Sequence, residues 1–433
     1  MSSRYWALHD NYVPNRWSQS SLASLVLTVG CLVVIGVLTS IALTEKSTAK
    51  RNSQHLGDQV KIAWDTSNDL GDPVSDEQSK FVLVESIPLY MTYNVNATFG
   101  TPLYKAWKDL LAMATKSVDV ASFYWTLTGD DIRVNSSTDL PGRDIFKLFQ
   151  DLPSRNVLVK ELGVVIYNCS QLAEDLEKIF LSYWVLGHYN ASIPDPWPSD
   201  FDTSINTEHP LLLNMSGVAS RVYISASPPS FCPAGRTKDL DSILSVIEGA
   251  EQFIDVSVME YFPTSRFTHP KRYWPIIEDA LKQSAFDRQV PIRLLISCGQ
   301  DTDPAMLPFL QSLSALHQPS QNISIEVKLF IVPVGNQSNI PYSRVNHNKY
   351  MVTDKETYIG TSNWSADYFI TTAGVSLVVS QDVPHPSSVG QTLQEQLRGV
   401  FERDWNSQFS VALSDLGHHP DCSFTERPRK TAS

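Results

Sequence analysis

The sequence predicts an α/β protein made of layered strands and helices in two related halves, the first shorter than the second, behind one N-terminal transmembrane helix. Three observations carry this. Short β-rich runs alternate with helical patterns beyond residue 80, the signature of α/β layers. Two blocks of sequence recur in the same order, which sets the architecture. A charge-free apolar run, Leu22 to Leu43, precedes them.

That run is 22 residues long, or about 33 Å as a helix, enough for a hydrocarbon core of about 30 Å. It exceeds the roughly 7–15 apolar residues of a cleaved signal peptide and reads as an uncleaved anchor. Arg4 and Arg16 precede it while Lys46, Lys50 and Arg51 follow, so flanking charge does not favour a cytosolic N-terminus. Glycan acceptors decide the orientation better. The N-x-[ST] pattern occurs at Asn96, Asn135, Asn168, Asn190, Asn214, Asn322, Asn336 and Asn363, all beyond the span. The reading is a short cytosolic segment (1–21), the helix (22–43) and a polar lumenal stalk (44–79).

At 433 residues and 42% hydrophobic the chain can bury a sizeable core, and a net charge of −12 excludes a broadly basic nucleic-acid binder. A polyanion would need a local basic cleft. Of five cysteines, Cys31 lies in the span, and Cys169, Cys232, Cys298 and Cys422 form no zinc spacing. No metal or cofactor is expected.

The folded part begins at "FVLVESIP". "SVDVASFYW" precedes the helical "GRDIFKLFQDL"; later "FIDVSVMEYF", "WPIIEDALKQSAF" and "IRLLIS" alternate strand and helix. In "TKDLDSILSVIEGA", Asp239 is placed to cap a helix whose apolar residues are Leu240, Ile243, Leu244 and Ile247.

The repeat pairs "QLAEDLEKIFLSYW" (171–184) with "TLQEQLRGVFERDW" (392–405) without gaps, matching Leu172, Glu174, Leu176, Phe180 and Trp184 to Leu393, Glu395, Leu397, Phe401 and Trp405. Upstream, Asp119 and Val120 pair with Asp255 and Val256. From Asp119 to Gly163 is 44 residues, whereas from Asp255 to Gly374 is 119, so the first half lacks about 75. The missing part corresponds to the stretch carrying "HNKYMVTD", and its junction lies near "RNVLVKELG". This divides the chain into a truncated first half (80–185), a connecting region (186–240), a second half (241–425) and a tail (426–433).

His347, Lys349 and Asp354 form H-x-K-x-x-x-x-D, followed by Gly360 and Asn363. An imidazole can attack phosphorus, splitting a phosphodiester displacement into two steps, and a second imidazole can protonate the leaving oxygen and then activate water. Lysine and asparagine neutralise the charge growing on the equatorial oxygens. Placed on a strand, His347 and Lys349 would share a face, with Asp354 further along near the next turn. "HPKRYW" at His269 has the H-x-K spacing without the acidic position and reads as a loop near the cleft.

"HNKYMVTD…GTSNW" resembles the H-K-D signature of the phospholipase D superfamily, in which two such motifs face one another. "VASFYWTLTGDDI", "VKELGVVIYNCS", "SVMEYFPTSRFTHPKRYWP" and "VKLFIVPVGN" are similar to members three and four of the mammalian phospholipase D family, from about Val82 to Cys422. The resemblance implies a duplicated α-β-α sandwich, here with the first half truncated. It also implies a single-pass type II glycoprotein of the endoplasmic reticulum membrane and endolysosome, hydrolysing single-stranded DNA or RNA from 5′ to 3′. It assigns catalytic roles to His347, Lys349, Asp354 and Asn363, with His347 as leaving-group acid, and implies a Cys298–Cys422 disulfide. Where that family carries its first motif this chain has only "SRNVL", so the nucleophilic histidine is missing.

Three functions share these residues: a phosphodiesterase impaired by the loss or completed in a homodimer, a non-catalytic shortened isoform or pseudoenzyme at the membrane, and a phosphodiesterase acting on phospholipid.

Overall fold

A computed structural model describes residues 79–114, 118, 120–121, 139–150, 162–215, 217–335, 344–382, 391–417 and 419–422. The apolar span, most of the stalk, "SRNVL", Asn135 and Asn336 lie outside the described residues. Among the described residues no helix is long and apolar enough to cross a membrane. Both repeated helical segments, 171–184 and 392–405, belong to one compact unit of the chain.

The first half contributes β1 (Lys80–Glu85), β2 (Thr101–Pro102), α1 (Leu103–Met113), α2 (Leu140–Gln150), β3 (Leu162–Tyr167) and α3 (Ser170–Leu186). Its sheet has three strands in the order β2-β1-β3, with β1 and β3 antiparallel from Lys80 opposite Tyr167 to Glu85 opposite Leu162.

The second half is a nine-stranded sheet flanked by helices. In chain order come β4 (Leu211–Met215), β5 (Val218–Ser227), α4 (Asp239–Gly249), β6 (Ile254–Val258), α5 (Ile276–Asp287), β7 (Ile292–Cys298), α6 (Leu307–Ser314) and β8 (Ile325–Ile331). Then follow β9 (Lys349–Thr353), β10 (Glu356–Gly360), α7 (Ala366–Ile370), β11 (Gly374–Gln381), α8 (Leu393–Trp405) and β12 (Ser410–Ala412). The strand order is β12-β8-β7-β6-β9-β10-β11-β5-β4. The stretch read from sequence as a connecting region therefore supplies two strands of this sheet. A strand's membership is decided by its partners across the sheet, and local composition around residues 211–227 does not reveal them.

Alternation of side chains divides the core into two layers. On one face Val256, Val258, Leu294, Ile296, Met351 and Val378 pack with Ile243 and Ile247 of α4, Leu281 of α5 and Leu310 of α6. On the other face Val222, Ile224, Leu295, Tyr350, Val352 and Val379 pack with Leu397, Phe401 and Trp405 of α8. Helices on both faces make this an α-β-α sandwich. The helix α8 starts on a capping box, with Thr392 and Glu395 each satisfying the other's backbone N–H.

The two repeated segments are both helices following an antiparallel strand, α3 after β3 and α8 after β11. In each the aromatic pair stacks: Phe401 on Trp405 at 5.6 Å and Phe180 on Trp184 at 5.9 Å. Their surroundings differ. Trp405 is buried under Arg293 of β7 and Lys328 of β8, whereas Trp184 is 50% exposed. Leu397 is fully buried and its counterpart Leu176 is 46% exposed. The strand β11 has β10 and β5 as neighbours, while among the described residues β3 has only β1. The described first half has counterparts of β5, β11 and α8 and none of β6 to β10.

Candidate active site

The parallel strands β6, β7 and β8 end side by side at Val258, Cys298 and Ile331, and β9 begins there with Lys349 opposite Val258. Ends of adjacent parallel strands are where open α/β sheets hold ligands, since the loops diverge there. β10 pairs antiparallel with β9, with Ile359 opposite Tyr350, so the turn after Gly360 leaves the sheet at the same end. The H-x-K segment and the G-x-x-N turn thus meet at one edge of the layer.

Lys349 is 6% exposed and its Nζ donates to the carbonyl oxygen of His347 at 2.8 Å. The strand starts at Lys349, so His347 belongs to the loop entering it and the period-two argument for a shared face does not reach it. That loop is pinned below: Asn346 is fully buried, its N–H bonds Ser297 Oγ at 3.1 Å and its Nδ2 bonds Ser257 Oγ at 3.3 Å. His347 itself is half-buried.

Asn363 is 4% exposed, with Nδ2 donating to Tyr368 Oη at 3.2 Å and Oδ1 without a hydrogen-bond partner. A buried asparagine cannot carry a glycan. The other acceptors among the described residues, Asn96, Asn168, Asn190, Asn214 and Asn322, are all exposed. Gly360 has no room for a side chain: a Cβ would lie 2.5 Å from Ser376 Oγ and 2.6 Å from Tyr358 Oη.

Asp354 has a different role from the one the motif suggests. It sits at the far end of β9 from Lys349, about 16 Å away along an extended strand. Its Oδ1 accepts from the N–H groups of Glu251 and Gln252 at 2.9 and 2.8 Å. Burial raises its pKa, but these backbone donors outweigh burial and hold it below the usual carboxylate value. It anchors the turn before β6 and does not face the reacting end of the sheet.

Residues outside the motif complete the site. Glu260 follows β6, its carbonyl accepts from Trp364 N–H at 3.0 Å, and its Oε2 is buried without a hydrogen-bond partner. Arg266 reaches Asp303 at 3.0 Å and Glu260 at 3.8 Å. Asp367 holds the Arg266 loop through the N–H groups of Arg266, Phe267 and Thr268. Burial would raise the Asp367 pKa; the Thr268 hydroxyl and these amides lower it. Lys271 and Arg272 of the H-P-K loop are exposed. Glu260 closes the predicted strand "FIDVSVMEYF", a signal that the spacing of His347 and Lys349 overshadowed. Cys298 and Cys422 form a disulfide with Cα atoms 5.4 Å apart, closing a segment that contains the whole motif. Cys169 and Cys232 are free thiols. Among the described residues no group of His, Cys, Asp and Glu could hold a metal ion.

A family profile described as "PLD3/4, PLD-like domain" matches residues 155–335. The chain is 42% identical to mouse 5′-3′ exonuclease PLD4 over 478 aligned positions, covering 94% of this chain and 95% of that protein. It is 44% identical to human 5′-3′ exonuclease PLD4 over 412 positions, covering 80% of this chain and 81% of that one. For 5′-3′ exonuclease PLD3 of Xenopus tropicalis the identity is 42% over 410 positions, covering 79% and 82%. The chain belongs to the phospholipase D superfamily. Within it, its place is beside PLD3 and PLD4. The mouse alignment is longer than the 433 residues of this chain, so that relative carries residues this chain lacks.

Proposed function

We propose that this chain is a phospholipase D-family phosphodiesterase of the 5′-3′ exonuclease type, acting on single-stranded DNA or RNA and impaired by the loss of its first motif. The observation that carries the chemistry is the meeting of the His347 loop, Lys349 and the Asn363 turn at one end of the sheet. The relatives' names supply the substrate class.

In a complete site, a first-half imidazole nitrogen would form a bond to phosphorus as the bond to the leaving oxygen breaks, and His347 would give that oxygen its proton. His347 would then take a proton from the water that releases the phosphoryl group. Lys349 and the Asn363 amide offset the charge on the non-bridging oxygens. The described first half offers no strand corresponding to β9 from which a second such histidine could come. Only direct water attack, with His347 and Lys349 in place, remains to a monomer. Losing a covalent step and one member of an acting pair costs several orders of magnitude.

The setting belongs to the same proposal: a type II anchor at 22–43, a glycosylated lumenal body and residence in the endoplasmic reticulum and endolysosome. Exposure of the five described acceptors supports the glycoprotein reading. A non-catalytic shortened isoform is favoured by one observation, the bare α3 face where the second half packs its own strands.

The test compares hydrolysis of 5′-hydroxyl single-stranded DNA by monomer, by any dimer separated by size, and by His347→Ala. Slow turnover in the monomer, abolished by His347→Ala, is expected. Robust monomer turnover that depends on His347 would overturn the impairment, activity confined to the dimer would establish a shared site, and turnover indifferent to His347 would remove the catalytic reading.

A further inference from the structure

Asp239 is the first residue of α4 and its carboxylate is completely buried. It makes no helix cap; the cap position is Lys238 and no side chain bonds there. Four hydroxyls surround it instead. Oδ1 accepts from Ser225 at 3.1 Å, Tyr358 at 2.9 Å and Ser376 at 2.7 Å, and Oδ2 accepts from Ser362 at 3.2 Å. These donors come from β5, β10, β11 and the turn that carries Asn363.

A buried carboxylate without a cationic partner is costly, and a core position at the start of an amphipathic helix is more simply filled by an apolar residue. Burial raises the Asp239 pKa and the hydroxyls oppose that rise. The geometry indicates what the group does. Its Oδ1 side is bonded to three strands of a packed sheet, a rigid frame. Its Oδ2 side has one partner, Ser362, the neighbour of Asn363.

Two glycines make room for the arrangement. A Cβ on Gly374 would lie 2.7 Å from both Ser362 Oγ and Ser227 Oγ, and one on Gly360 would strike Ser376 Oγ and Tyr358 Oη. Two of the hydroxyls collected by the carboxylate, and the one that reaches the turn, therefore occupy space that only glycine leaves open. The rest of the turn is held from the opposite side, where Trp364 N–H bonds Glu260 O and Trp364 O accepts from Phe262 N–H.

We propose that Asp239 is the positioning residue for Asn363: its carboxylate fixes Ser362 to the sheet and thereby sets where the Asn363 amide stands at the strand ends. The proposal rests on the reading of Asn363 as a phosphate-side donor. Asp239 touches no substrate and acts through Ser362 alone.

The test uses the full chain and two readouts. In Asp239→Asn and in Ser362→Ala, hydrogen exchange of a peptide spanning residues 361–366 should quicken about tenfold, as expected for a turn released from its frame. Ser225→Ala removes a bond from the same carboxylate on the β5 side; it should lower the melting temperature and leave exchange of that peptide unchanged. In turnover, Asp239→Asn should lower kcat about tenfold with KM changed less than about twofold, and the double variant with Ser362→Ala should be no slower than the slower single one. If Asp239→Asn does not fold, Ser362→Ala decides by itself.

Unchanged exchange in Ser362→Ala, or equal loosening in Ser225→Ala, would overturn the proposal in favour of a general contribution to stability. Quickened exchange with unaltered kcat would leave the positioning intact and remove Asn363 from the chemistry. Exchange can be read even where turnover is too slow to measure, so the two failures are separable.

Discussion

Arg403 and Glu85, 318 residues apart, form a buried two-pronged ion pair in which Nη1 and Nη2 donate to the two carboxylate oxygens at 2.8 and 2.9 Å. The side chains are 2% and 3% exposed, and Asp404 shares the guanidinium at 2.9 Å. The pair fastens β1, the opening strand of the first half, to α8 of the second. The shortened half is therefore fixed in place by a desolvated contact. A second chain supplying the missing histidine would have to dock around this remnant.

Glu85→Gln leaves the buried Arg403 with Asp404 as its carboxylate partner, and is expected to cost about 1–3 kcal/mol, measured by urea unfolding. Arg403→Met takes the cation from two buried carboxylates and should cost about 3–5 kcal/mol, and the double variant should lose less than the sum of the two, since the effects are coupled. Equal and additive losses would show that the pair is not acting as a unit.

The repeated helices should respond unequally to the same change. Leu397→Ala in α8 removes a fully buried side chain and should cost about 2–5 kcal/mol. Leu176→Ala in α3 removes one that is 46% exposed and should shift stability by less than about 1 kcal/mol. Comparable losses in thermal melts would mean that α3 is covered in solution.

Breaking the Cys298–Cys422 disulfide releases a loop spanning 124 positions. The chain-entropy account puts its contribution at about 4–5 kcal/mol. Cys422→Ser should lower the unfolding midpoint accordingly, and reductant should do the same to the native chain and nothing further to the variant.

Asp354 gives stability a pH dependence of defined sign. Its folded pKa is depressed below the unfolded value, so its contribution is fully present above the unfolded value near 4 and is lost as pH falls through the folded value. Asp354→Asn should therefore destabilise the protein at pH 7, by about 2 kcal/mol for two charge-assisted bonds, and progressively less on acidification below pH 4. A loss that is constant across this range would mean the carboxylate charge is not what the Glu251 and Gln252 amides recognise.

Much of this was readable before the fold was known, because it is local. The stretch "HNKYMVTD" with Gly360 and Asn363 names its own chemistry, and the helices at 171–184 and 392–405 follow from apolar spacing. What escaped depends on partners distant in sequence. Asp239 reads as a helix cap by position, yet its bonds go to residues near 225, 358, 362 and 376. Asp354 reads as part of a catalytic triplet by spacing, yet strand length carries it to the opposite end of the sheet. β4 and β5 pair with each other, yet they look like connection because β11, the strand that joins them to the sheet, lies far along the chain.

The bare face of α3 bears on how long the protein lasts in a cell. Leu176 and Trp184 stand half exposed, with Phe180 partly exposed between them, an aliphatic and aromatic stripe of the kind quality-control systems recognise in incompletely folded chains. A body that is otherwise well packed thus presents a surface on which such systems act, whatever its chemistry.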